Sequence, residues 1–225
     1  MKFWESLLTQ FIDLILPKET CVKDLENMTH KNFIEIVPPS ETPQMLDSTQ
    51  IEAIFCYKNP LMRKAMWEIK FQNNRKILKM VAMATAELLL PIVTDMEIFD
   101  KSRKILLIPV PLSEKRREER GYNQTAELAK EIIRALRKHK VSNIDLDEDV
   151  FKRVVNSEPQ TKVRSRQRRL RNIKNAYMVT KPEKILNRNV IILDDVTTTG
   201  ATLQTAASVI KACKPSRLLC LAIAH

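Results

Sequence analysis

Two adjacent carboxylates, Asp194 and Asp195, stand between an apolar run and a threonine-rich loop. The apolar run, residues 190–193, has the continuous hydrophobic character of a strand buried on both faces of a parallel sheet. In such sheets ligands bind beyond the carboxyl ends of the strands. The two acids therefore lie where they can accept hydrogen bonds from vicinal hydroxyls of a sugar, and where their charge can stabilise a positive charge that develops at a reacting carbon.

The loop after the acids has the composition of a phosphate site, because backbone N–H groups and the dipole at a helix start favour a phosphate. Gly200 permits a close backbone approach and an unusual φ. A Walker loop and a dinucleotide fingerprint are both excluded, since neither glycine pattern is present. The residues expected to hold the phosphate are Thr197, Thr198, Thr199, Gly200, Ala201 and Thr202.

A second loop, IPVPLSEKRREERGYNQ at residues 108–124, follows another apolar run and is predicted to open at the same edge of the sheet. Its prolines stiffen the backbone, and its cations suit a second anionic group. The alternative is a solvated charged turn, because three glutamates offset most of that charge. The candidate anion-binding residues are Pro109, Val110, Pro111, Leu112, Lys115 and Arg116.

A strongly basic segment lies between two predicted strands. Residues 161–175 contain seven Lys or Arg and no Asp or Glu. Three interpretations stay open: a solvated face, a hood that closes over the ligand and excludes water, or a nucleic-acid groove. A groove for nucleic acid would be expected to contain aromatic residues that stack on bases, and only Tyr177 and Tyr122 are near this segment. The hood residues would be Arg153, Gln160, Lys162 and Asn172, with Arg169 as a catalytic cation over the leaving group.

Alternating strands and helices predict an α/β fold with a mostly parallel sheet flanked by helices. Strands are expected at residues 51–57, 104–111, 150–155, 176–180, 190–193 and 217–224. Helices are expected at residues 3–16, 61–70, 75–90, 122–138 and 201–213. Residues 1–50 are predicted to be a separate appendage, in which the helix precedes an irregular linker or a small, weak subdomain over residues 18–50. Residues 51–225 are predicted to be the main domain.

Composition narrows the classes of function. Hydrophobic residues make up 44% of the chain, which excludes a disordered protein. The net charge of +11 favours anionic partners, although a merely basic surface would have the same charge. The four cysteines lack Cys-x-x-Cys spacing, and neither a signal peptide nor a transmembrane run is recognised, so a cytoplasmic location is expected. The apolar face of helix 3–16 would pack on the main domain, or alternatively make a peripheral membrane or partner contact.

Residues 190–202 resemble the phosphoribosyl pyrophosphate (PRPP) motif of type I phosphoribosyltransferases. From about Ile54 onward the chain resembles one family within that group, the ComF family, which is associated with bacterial competence for DNA uptake. The segments that carry this resemblance are Tyr57-Lys58, Ile69-Lys70-Phe71, Pro109-Val110-Pro111-Leu112, Arg120-Gly121-Tyr122-Asn123-Gln124, the residues Arg153, Gln160, Arg169 and Asn172, and Ala176-Tyr177.

The resemblance implies PRPP as ligand with Mg²⁺ as its companion ion. Asp194 and Asp195 would hold the ribose, the threonine loop the 5-phosphate, and the second loop the pyrophosphate. Members of the family commonly carry an N-terminal zinc ribbon with four cysteines. Of these four, only one has a counterpart in this chain, Cys21, and Asp24 stands where its partner would be, so no zinc is expected. Two alternatives are a non-catalytic module that senses PRPP or a nucleotide and binds single-stranded DNA through residues 162–174, and an adaptor that acts through residues 1–50.

Overall fold

The computed structural model describes residues 18–40, 44–46, 49–99, 104–112, 114–153 and 177–225. The predicted helix 3–16 and the basic segment 154–176 lie outside these ranges. The helices are α1 (Lys18–Asn27), α2 (His30–Ile36), α3 (Pro60–Phe71), α4 (Arg75–Phe99), α5 (Glu114–Arg120), α6 (Gln124–Lys138) and α7 (Ala201–Lys211), with a short 3₁₀ turn at Pro182–Lys184. The strands are β1 (Gln44–Leu46), β2 (Thr49–Phe55), β3 (Ile105–Pro109), β4 (Ile144–Leu146), β5 (Phe151–Arg153), β6 (Tyr177–Val179), β7 (Asn189–Val196) and β8 (Arg217–Ala224).

Six strands form the main sheet in the order β1-β2-β8-β7-β3-β4. All neighbours are parallel except β1 and β2, which pair antiparallel. The predicted mostly parallel α/β sheet is therefore confirmed. β5 and β6 form a separate antiparallel pair, rather than the two further strands of the main sheet that the alternating pattern suggested.

Each face of the sheet is covered by its own hydrophobic cluster. On one face the side chains of Ile191 and Leu193 pack with α3, α4 and α6. On the other face Val190 and Ile192 pack with α7 and with the β5–β6 pair. Burial on both faces explains why β3 and β7 are apolar almost throughout, and why their positions were predictable from composition.

The site-forming helices begin where their sequences favour helix starts. α3 starts with Pro60, which suits the first turn of a helix, and the side chain of Asn59 accepts hydrogen bonds from the first turn. α6 starts after Asn123, whose side chain accepts from the Thr125 N–H at 3.1 Å. These caps fix the residues at which α3 and α6 begin.

Several elements differ from the sequence predictions. Residues 18–36 form two helices instead of an irregular linker, and Leu25 and Phe33 belong to the core. α4 continues past residue 90 through the exposed Pro91, because the flanking Leu89 and Val93 are fully buried. The predicted turn after β3 contains α5.

α4 is also long and apolar enough to cross a membrane by length and composition, which the sequence reading did not anticipate. However, 56% of its apolar window is buried inside the domain. Val81, Ala84 and Leu89 are fully buried members of the core. This pattern is typical of the core helix of a globular domain.

Candidate functional site

The carboxyl ends of β3 and β7 lie side by side at the point where the order of successive strands reverses. β7 continues through α7 to β8 on one side, whereas β3 continues through α6 to β4 on the other. Pro109 pairs with Leu193 in register, and the Val110 N–H donates to the Leu193 carbonyl at 2.8 Å. The two predicted ligand loops therefore open next to each other, in the crevice where open α/β sheets bind ligands.

The threonine loop has the backbone geometry of an anion site. Gly200 precedes α7 with φ +69°, in the left-handed region, and no side chain caps this helix start. The first N–H groups of α7 therefore remain available to an anion. Thr198, Thr199 and Thr202 are exposed, and Ala201 is partly exposed.

Thr197 has a different role in the loop. It is buried, and its Oγ1 accepts from the Gly200 N–H at 3.0 Å. Its own N–H donates to the Ala224 carbonyl at 3.0 Å. Its hydroxyl therefore shapes the loop, and the hydroxyls of the exposed threonines are better placed for a ligand.

Asp195 is buried and held by two other helices. Lys70 Nζ, in the last turn of α3, lies 3.1 Å from Asp195 Oδ2. Gln124 Nε2, at the start of α6, donates to the same oxygen at 2.5 Å. Burial opposes ionisation of Asp195, but the Lys70 ammonium and the Gln124 hydrogen bond outweigh it and hold the pKa of Asp195 below its usual range.

Asp194 has the opposite electrostatic character. Adjacent strand residues point to opposite faces of a sheet, so Asp194 leaves β7 on the face of the β5–β6 pair. Burial and the neighbouring Asp195 charge raise the pKa of Asp194 to about 7, although Lys70 and Arg116 partly counteract them. Asp194 also raises the pKa of Tyr177, after the larger effect of burial.

The second predicted loop lies where the sequence placed it. Val110 is buried, Pro111 and Leu112 are half-buried, and the Asn123 side-chain amide donates to the Val110 carbonyl at 3.3 Å. Arg116, in α5, is close enough to Asp194 to lower its pKa. Lys115 also belongs to α5, but its side chain lies outside the described part of the structure.

The β5–β6 pair, which ends at Arg153 and resumes at Tyr177, lies on the same side of the sheet as Asp194. Arg153 pairs with Tyr177 in the β5–β6 ladder, and the Arg153 guanidinium lies 5.7 Å from the Tyr177 ring centre. Tyr177 stacks on Phe151 with ring centres 4.8 Å apart. The remaining predicted hood and catalytic residues, Gln160, Lys162, Arg169 and Asn172, lie outside the described residues.

Sequence reasoning gave no role to the residues that hold Asp195. Lys70 and Gln124 are far from Asp195 along the chain, and no local pattern links them to it. Both residues do lie in segments that carry the family resemblance, which is the signal that could have singled them out.

The geometry agrees with comparisons to known proteins. Residues 123–225 match the phosphoribosyl transferase domain family. The chain is 28% identical over 158 residues to the competence protein ComFC of Bacillus subtilis, covering 70% of this chain and 56% of that protein. It is 34% identical over 106 residues to competence protein F of Haemophilus influenzae, covering 47% of this chain and 43% of that protein. The chain is therefore similar to ComF-family competence proteins, and residues 123–225 match a phosphoribosyl transferase domain.

The matches span about half the length of these two ComF-family relatives. Solved structures with a similar fold include a hypoxanthine phosphoribosyltransferase from Trypanosoma cruzi, with TM-score 0.43 and 13% identity over 64% of this chain and 65% of that one. Another is the HGPRT-ase of Leishmania tarentolae, with TM-score 0.37 and 18% identity over 65% of this chain and 66% of that one. These similarities are distant, and the fold assignment rests on the strand order and the domain match.

Proposed function

We propose that this chain binds PRPP between the ends of β3 and β7 and transfers its phosphoribosyl group to an acceptor. The observation that carries the proposal is the meeting of three features at one crevice. An uncapped helix start suits the 5-phosphate, a second loop beside it suits the pyrophosphate, and Asp194 lies between them. In the reaction the bond from ribose C1 to the pyrophosphate oxygen breaks, and C1 forms a bond to an amine or base that gives up a proton.

Acidic side chains would contact the ribose, and basic side chains would contact the pyrophosphate. Asp194 would accept hydrogen bonds from the ribose hydroxyls, and as a carboxylate it would stabilise the positive charge that develops near C1. Arg116, and Lys115 beside it in α5, would balance the charge of the leaving pyrophosphate. Arg169 and the hood residues Arg153, Gln160, Lys162 and Asn172 remain the candidates for excluding water over the bound ligand.

Mg²⁺ fits this site as an ion that accompanies the substrate. It prefers oxygen ligands and is commonly held by one or two carboxylates together with substrate phosphates. Among the described residues no group of three or more His, Cys, Asp and Glu side chains forms a self-sufficient metal site. Asp194 offers one carboxylate at the crevice, and the ion would neutralise charge on the pyrophosphate.

Calorimetric titration with PRPP, with and without Mg²⁺, tests the proposal. We expect Mg²⁺-dependent binding that weakens at least about tenfold in Asp194→Asn, because a charged hydrogen-bond acceptor is lost. Asp95→Asn is the matched control, because Asp95 lies at the opposite end of the sheet from the crevice. There its Oδ2 is 3.4 Å from Arg217 Nη1. If the wild-type protein does not bind PRPP, the proposal fails. If PRPP binds, pyrophosphate release in an acceptor screen decides whether turnover occurs.

A second candidate function is binding of single-stranded DNA through residues 162–174. The net charge of +11 and the dense run of Lys and Arg in this segment favour it. Reversal of the charges at residues 162–174 should then abolish DNA binding while PRPP binding persists. Affinity for DNA should also fall steeply with salt; DNA binding that is insensitive to both changes would refute this candidate.

A further inference from the structure

The two carboxylates look equivalent in the sequence but have different surroundings in the fold. Asp195 faces α3 and α6, and its side chain is 11% exposed beside Lys70, which is 18% exposed. Asp194 faces the β5–β6 pair and the crevice. Since consecutive side chains of a strand point to opposite faces, no ligand on one face can approach both carboxylates in the same way.

The hydrogen-bonding capacity of Asp195 is engaged within the protein. Its Oδ2 contacts both Lys70 Nζ at 3.1 Å and Gln124 Nε2 at 2.5 Å. Its Oδ1 accepts from the Val196 N–H at 2.5 Å. The Oδ1 of Asp194, in contrast, accepts one backbone N–H, that of Asp195 at 2.9 Å.

We propose that Lys70 is a positioning residue that fixes Asp195 as a buried carboxylate, so that Asp194 alone contacts the ribose. This inference rests on the proposed PRPP site and assigns different roles to its two acids. Lys70 acts at a distance from the ligand: it joins the end of α3 to the end of β7 through Asp195. The β7 backbone that leads into the phosphate loop is thereby held in place.

The charges around the pair are consistent with this division. The groups that affect Asp194 are Asp195, the Lys70 ammonium and Arg116 of α5, and Asp194 in turn affects Tyr177 of β6. The groups that act on Asp195 are Lys70 and Gln124. Removing the Lys70 side chain would remove the contact of 3.1 Å that joins the end of α3 to the Asp195 carboxylate.

The first test needs no ligand. The aspartate carboxyl carbons of ¹³C-labelled protein are titrated by NMR. An Asp194→Asn background is used, so that Asp195 titrates without coupling to its neighbour. An opposite charge at this distance lowers the pKa of a carboxyl by about 1 to 3 pH units. Lys70→Met should therefore raise the midpoint of Asp195 by about that amount, whereas Lys70→Arg should leave it low. An unchanged midpoint in Lys70→Met overturns the inference, even if stability falls.

The second test measures PRPP binding by calorimetry in the presence of Mg²⁺. Displacement of a supporting group weakens function by about tenfold to a hundredfold, so Lys70→Met should lose at least about tenfold in affinity and Lys70→Arg should recover most of it. Lys76→Met is the control, because Lys76 is a 70% exposed cation of the neighbouring helix. Full affinity in Lys70→Met overturns the inference.

The two tests separate failure of the inference from failure of the proposed function. Absence of PRPP binding by wild-type protein would remove the proposed function, while the NMR titration would still decide the role of Lys70. If Lys70→Met does not fold, Gln124→Leu takes its place, since it keeps both charges and removes one donor. Gln124→Leu should raise the titration midpoint of Asp195 by less than the change expected for Lys70→Met. An unchanged midpoint in Gln124→Leu would overturn the inference.

Discussion

Replacing Asp194 with asparagine should stabilise the folded protein at alkaline pH, although Asp194 is the proposed ribose-binding carboxylate. The folded protein raises the pKa of Asp194 from 3.8 to about 7, through burial and the Asp195 charge. Protonated Asp194 therefore favours the folded state, and this contribution is fully present below pH 3.8 and is lost as the pH rises from there to about 7. Asparagine keeps the neutral shape and can still accept the Asp195 N–H.

The magnitude follows from the displacement of the pKa. One pH unit corresponds to about 1.4 kcal/mol, so a displacement of about three units sets an upper limit of about 4 kcal/mol. Asp194 is partly exposed and its titration is linked to that of Asp195, and both effects reduce the value. We therefore expect Asp194→Asn to gain about 1 to 2 kcal/mol at pH 8.5.

Urea unfolding of wild type, Asp194→Asn and the control Asp95→Asn at pH 5 and pH 8.5 measures this gain. The difference between Asp194→Asn and wild type should be smaller at pH 5 than at pH 8.5, because the contribution of protonated Asp194 is lost progressively between pH 3.8 and about 7 and only part of it is lost at pH 5. Equal stabilities at pH 8.5, or a less stable variant, would refute the conclusion that the fold raises the pKa of Asp194. A similar gain in Asp95→Asn would point instead to general charge effects.

Three further predictions concern packing and backbone. Gly200→Ala should weaken PRPP binding and lower the free energy of unfolding by about 1 kcal/mol, because Gly200 has φ +69°. Gly121→Ala is the control: it has φ +72° and open space around it, so urea unfolding should show a similar loss of stability while PRPP binding stays intact. Lys64→Met should cost about 3 kcal/mol, since it leaves the buried Glu68 unpaired; adding Glu68→Leu should restore most of the loss. Tyr177→Ala should cost about 3 kcal/mol through the lost stack, whereas Tyr177→Phe should retain most of the melting temperature.

The sequence was informative where one segment determines its own structure. β3 and β7 could be predicted because they are apolar nearly throughout, and the threonine loop because its residue types match the backbone of a phosphate site. The two loops could be placed at one edge because parallel strands end at the same side of a sheet. Their pairing in register, Pro109 with Leu193, agrees with that reasoning.

The parts that could not be predicted depend on contacts between distant segments. Pro91 is a strong local signal for the end of a helix, and it is outweighed by core packing on both sides of it. The three-residue strand β4 owes its existence to pairing with β3. In the same way, nothing near Asp195 in the sequence identifies Lys70 as its counterion, so the different roles of the two acids emerge only in the fold.

The pairing of Arg153 with Tyr177 has a consequence for how this protein can vary or be engineered. These two residues are paired in the β5–β6 ladder, with the Arg153 guanidinium over the Tyr177 ring, so the two ends of the intervening stretch are joined. Once the ends of a loop are joined, each doubling of its length costs only about 0.6 kcal/mol. Segments of different length and composition could therefore be exchanged at this position without loss of the domain, so that the selectivity of the crevice could change while the sheet and its phosphate loop stay the same.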